Sequence, residues 1–99
     1  MMPISSSATI ATPEATRLIK RLCTHWAHKF EVKFDADNGF VPFGPTTSAR
    51  MRAEADRLHV SVEAADTAAL QRYQDVVASH LQRMARAGEL SIQWEPGTA

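Results

Sequence analysis

The seven residues Cys23-Thr24-His25-Trp26-Ala27-His28-Lys29 bring together a thiol, two imidazoles, an indole and a cation. Imidazoles titrate near neutrality and ligate metals, so this run is the first place to look for chemistry. On a regular helix Cys23 and His25 project about 200° apart, which prevents one ion from being clamped between them. His25 and His28 differ by only about 60° and share a flank. Two imidazoles make half of a zinc site, and His80, at the margin of a second helix, is the best further donor. A divalent metal held by His25, His28 and His80 is therefore one expectation, and no other cofactor is expected.

The same helix carries Arg17, Lys20, Arg21 and Lys29 on its exposed side, with Glu14 as its acid. A ligand or partner that is anionic fits such a surface, with Arg21, His25 and His28 as contacts. The plain alternative is a solvated face whose late cations complement the helix dipole. Cys23 falls on the shoulder of the apolar stripe, where a thiol without a neighbouring base behaves as a small apolar side chain. Trp26 and Trp94 occupy inward positions. Asp35-Ala36-Asp37-Asn38-Gly39 resembles a calcium loop only faintly, because the glycine comes one place early and Thr46 stands where a glutamate is required. No nucleophile elbow, phosphate loop or dinucleotide fingerprint is present. A non-catalytic binding module is expected rather than an enzyme.

The elements that must position these residues follow from periodicity. Met1 to Ser7 reads as a polar lead and Ala8-Thr9-Ile10-Ala11 as a brief strand. Thr12-Pro13-Glu14 starts a helix: a hydroxyl cap, a proline at the first position and an acid at the positive end of the dipole. Ala15, Leu18, Ile19, Leu22 and Trp26 then form the buried stripe of a helix predicted from about Pro13 to Lys29. Phe30, Val32 and Phe34 alternate with charged residues as a half-buried strand. A turn at Asp37-Asn38-Gly39, made of residues that accept positive φ, returns Phe40-Val41-Pro42-Phe43 beside it, and Pro42, which cannot donate to a ladder, places that strand at an edge or makes it irregular.

Ala49, Met51, Ala53 and Ala55 and then Leu58, Val60, Val62 and Ala64 mark two further strands, with a hairpin connection at Ala55-Asp56-Arg57. Asp66 or Thr67 caps a second helix with Leu70, Tyr73, Val77, Leu81 and Met84 inward, and Gly88 stops it. Leu90, Ile92 and Trp94 alternate as a closing strand. The order β-α-β-β-β-β-α-β predicts an α+β two-layer sandwich, with two helices on one face of a mainly antiparallel sheet, like a ferredoxin-type unit with an extra hairpin. The other face, with Arg50, Arg52, His59 and Ser61 among its residues, is expected to be wet.

Ninety-nine residues fit a single domain over 1–99 with an ordered core of about 8–95. Eleven basic residues balance eleven acidic ones, so no nucleic acid and no membrane are expected as partners. One cysteine, no signal peptide and no 18-residue apolar run point to the cytoplasm. Monomer and homodimer both remain open, the dimer through edge-strand pairing.

Cys23-Thr24-His25-Trp26-Ala27-His28-Lys29, Ser79-His80-Leu81-Gln82-Arg83-Met84 and Leu90-Ser91-Ile92-Gln93-Trp94 resemble the corresponding blocks of the bacterial domain of unknown function family 2218. The resemblance runs from about Ala8 to Trp94 and departs at Val41-Pro42-Phe43, where family members tend to have an uninterrupted strand. It implies no assigned activity. Some members accompany siderophore-utilisation flavoproteins, so what it implies about partners is a link to siderophore utilisation and iron handling.

Overall fold

Apolar residues three and four apart make a helix bury one side, and Ala15, Leu18, Ile19, Leu22, Cys23 and Trp26 are all buried on the first helix, α1 (Ala15–Trp26). The computed structural model, which describes residues 4–86 and 90–96, sets this helix and α2 (Thr67–Met84) on one face of a six-stranded antiparallel sheet. Its strands are β1 (Ile4–Ala11), β2 (Lys33–Phe34), β3 (Asn38–Pro42), β4 (Ser48–Ala53), β5 (Arg57–Ala64) and β6 (Glu95–Pro96). They lie in the order β2-β3-β4-β5-β1-β6. The α+β sandwich and the element order are as the periodicity predicts.

Alternation then sorts each strand. Ala8 and Ile10 of β1, Ala49 and Met51 of β4, and Leu58, Val60, Val62 and Ala64 of β5 point toward the helices and are buried. Each large side chain removed from water there contributes about 1.5–3 kcal/mol. Asp66 caps α2, its carboxylate accepting from Ala69 N at 2.8 Å, and Leu70, Val77 and Leu81 close the core beneath it.

Several boundaries differ from the sequence reading. Ile4 to Ser7 belong to β1, not to a lead: Ser6 is buried and its hydroxyl accepts from Gln74 Nε2. The first helix begins at Ala15 because Thr12 caps the preceding turn instead, accepting from Glu14 N at 3.1 Å. It ends at Trp26, whose carbonyl accepts from Lys29 N and Phe30 N, so His28 and Lys29 sit in a turn. The strand expected from Phe30 is only two residues long, and Phe34 at the sheet edge is 44 % exposed.

The hairpin turns earlier than expected. Asp35 Oδ1 accepts from Asp37 N and Asn38 N, which leaves Asn38 and Gly39 inside β3. β3 is not an edge, since β2 and β4 flank it, but β2 reaches only Gly39 and Phe40, so at Pro42 the strand is paired with β4 alone. Leu90, Ile92 and Trp94 pack against the core without a ladder, and the closing strand is Glu95–Pro96 against Ser7 and Ser6. The stop assigned to Gly88 lies outside the described residues.

Candidate functional site

Two surfaces concentrate chemistry. The first is a rim where α1 meets the end of α2. Glu14 builds it: its carboxylate accepts from Arg17 Nη2 at 2.6 Å and from Arg86 N at 2.9 Å, while Arg17 Nη2 also donates to Met84 O at 2.7 Å. The nearest acid is thereby committed to joining the two helices. Beyond it, Arg21, His25 and His28 line one hollow of about 570 Å³ together with Lys20, Thr24 and Arg86. Lys20, Arg21 and Arg86 form no side-chain ion pair among the described residues. The three contacts expected from the sequence therefore converge, although His28 arrives from the turn and not from the helix.

His25 also faces the second helix, its ring centroid 5.3 Å from that of His80. His80 Nδ1–H donates to Val76 O at 2.7 Å, so its Nε2 is the nitrogen left with a lone pair. Trp26 closes the group from below, 5.0 Å from His80 and edge-on to Phe43 at 4.9 Å, with Phe43 continuing to Tyr73 and Phe30. Trp94 lies elsewhere, lining a hollow with Ile4, Leu70 and Gln74. His25 and His80 lie side by side; no group of three histidine, cysteine, aspartate or glutamate side chains placed to hold a metal occurs among the described residues.

Cys23 is fully buried, and burial pushes its thiol up to about 11. It is a packing residue. A thiolate nucleophile would need an electropositive, partly open setting, which this position lacks.

The second surface is the helix-free side of the sheet, and its content depends on register. Asn38, Arg52, His59 and Thr9 form one cross-strand row; Lys33, Phe40, Arg50, Ser61 and Ser7 form the next. Arg50 lies over the Phe40 ring, its guanidinium carbon 4.6 Å from the centroid. His59 is tied on both sides, Nδ1 to Thr9 Oγ1 at 3.3 Å and Nε2 to Glu54 Oε2. The hydrogen bond from His59 holds the Glu54 carboxyl below its usual range against an opposing desolvation, with Arg52 and Arg57 helping. Thr9, Lys33 and Glu54 were not readable as neighbours, because alternation assigns residues to a face and leaves their partners across the sheet undetermined.

No described helix is long and apolar enough to cross a membrane. No curated protein matches the chain. The structure is similar to the NMR structure of PA4090 from Pseudomonas aeruginosa, with a TM-score of 0.80 and 38 % identity over 93 % of this chain and 95 % of that one. The family model for an uncharacterized protein conserved in bacteria, DUF2218, matches residues 7–95, and the chain belongs to that family.

Proposed function

We propose that this domain is a non-catalytic cytoplasmic module that captures an acidic partner at the rim between its helices, through Arg21, His25 and His28. The observation that carries the reading is the shared hollow: three side chains from a helix and the turn after it line one concavity with further cations, while the adjacent carboxylate of Glu14 is held by Arg17 and Arg86 N. Cationic side chains that make no ion pair within the described residues gain Coulomb energy from an acidic segment without first breaking a bridge of their own. An octaglutamate peptide is the probe. Replacing Arg21, His25 and His28 together by alanine is expected to weaken its binding about tenfold or more, an affinity loss of about 1.4 kcal/mol. Undiminished binding by the folded triple variant would refute the assignment.

A second reading has one observation in its favour. His80 donates from Nδ1 to a backbone carbonyl, the arrangement that commonly orients a metal-ligating imidazole, and its free Nε2 stands on the side chain packed beside His25. On this reading His25 and His80, with His28 recruited from the turn, hold a divalent metal or contact an iron-bearing siderophore. Zinc titration followed by elemental analysis tests it: one equivalent retained by the native chain and lost by His80→Ala supports it, and no retained metal contradicts it.

A further inference from the structure

We infer that the helix-free face of the sheet is a second binding site, and that its ligand is a compact polyanion of the polyphosphate class held by Lys33, Arg50 and Arg52. The site is distinct from the rim between the helices, which lies on the opposite side of the sheet.

Register is what creates it. Arg50 and Arg52 are two apart on β4 and therefore project to the same side, and Lys33 reaches the same row through Phe40 of β3. With neighbouring strands about 4.8 Å apart, the two outer strands of this set stand about 10 Å apart, so three cations crowd a small area. They line a concavity of about 640 Å³, a size in the usual range for small-ligand sites. None of the three forms an ion pair among the described residues. Like charges on adjacent strands repel, and a polyanion placed between them would convert that repulsion into attraction.

The surroundings favour an anion in other ways. Asp35 is the acid lining the concavity, and its Oδ1 accepts from Asp37 N, Asn38 N and Asn38 Nδ2, so it serves the hairpin. Glu54 is tied to His59. Glu63 lies one row away on β5 and forms no ion pair with Arg50. Arg50 packs over the Phe40 ring, which restrains its side chain and lowers the entropy lost when it grips an oxyanion. The hydroxyls of Ser61 and Ser7 continue the Arg50 row as neutral donors. Several phosphates on one small chain match three cations better than a single phosphate does, so affinity should rise with the number of linked phosphates.

Titration of the full chain with inorganic tripolyphosphate, at fixed ionic strength and followed by calorimetry, tests the site. One-to-one binding is expected, at least tenfold tighter than for inorganic phosphate. Arg50→Glu with Arg52→Glu should abolish it, the neutral pair Arg50→Gln with Arg52→Gln should weaken it at least tenfold, and Arg21→Glu at the other surface should change it by less than twofold. Two charge variants guard against a reversal that fails to fold. Absence of binding, binding that survives neutralisation of both arginines, equal affinity for single phosphate, or loss caused by Arg21→Glu instead would overturn the inference. The rim could still take an acidic partner in every one of those cases.

Discussion

Gly39 lies so close to Cys23 that a Cβ added to the glycine would stand 2.8 Å from the Cys23 Sγ, with Ile19 Cγ2 and Met51 Cε each at 3.2 Å. The residue that looked like a turn glycine, chosen for its backbone freedom, is a strand residue chosen for its lack of a side chain. It allows the extended hairpin to approach α1 and seals the core over a buried thiol.

The first consequence concerns packing. Gly39→Ala is expected to destabilise the fold by about 1–3 kcal/mol, the usual cost of forcing a methyl into a filled interior. Removing the sulfur should make room, so the same substitution in a Cys23→Ala background should cost markedly less. Denaturant melts of the two single variants and the double variant form the cycle, and strictly additive effects would mean the two residues do not touch.

Cys23 itself should be chemically silent. Because burial raises its thiol to about 11, ionisation opposes folding, and the sign follows from proton binding: between the unfolded value near 9 and the folded one, the native state holds the proton that the unfolded state has lost. Stability carried by this group is complete below about pH 9 and falls as pH rises toward the folded value. A thiol reagent at neutral pH should label the chain only as fast as it opens. Rapid stoichiometric labelling of the folded protein would contradict the placement.

At acid pH one contribution comes from the sheet surface. The Glu54 carboxyl is held low by its hydrogen bond with His59, so its stabilising effect is present above the unfolded value of 4.5 and is lost as pH falls through the lower folded value. Glu54→Gln should lower stability by a constant amount at neutral pH and flatten the acid limb, so that the two profiles converge once pH falls below the folded value. An identical acid limb in the variant, measured by urea denaturation across pH, would show that the pair makes no difference.

How much of this was legible in the residues divides along physical lines. The burial stripe of α1, the Asp66 cap of α2 and the alternation of β5 are local patterns, and each appears where its period placed it. Arg21 and His25 lie on α1 as the same period places them, whereas His28 lines their hollow from the turn after Trp26, where helical spacing no longer applies. Leu90, Ile92 and Trp94 misled because alternation reports a wish to be buried and does not say whether a ladder or plain packing satisfies it, while Phe34 joins a ladder yet stays exposed at the sheet edge. Ser5 and Ser7 were hidden as strand residues because outward positions on an open sheet face need no apolar signature, and Ser6 because its inward hydroxyl is satisfied by Gln74 of α2. The Thr9, His59 and Glu54 chain and the Lys33, Arg50, Arg52 cluster depend on cross-strand register, information carried by the turns and by the whole sheet together.

The central claim, capture of an acidic segment at the rim, is tested most directly by following backbone amide NMR shifts while octaglutamate is added to the full chain. Shifts concentrated at residues 17–28 and 84–86, and abolished when Arg21, His25 and His28 are alanine, are the expected result. Shifts that are absent, that spread evenly over the surface, or that persist unchanged in the folded triple variant would contradict it.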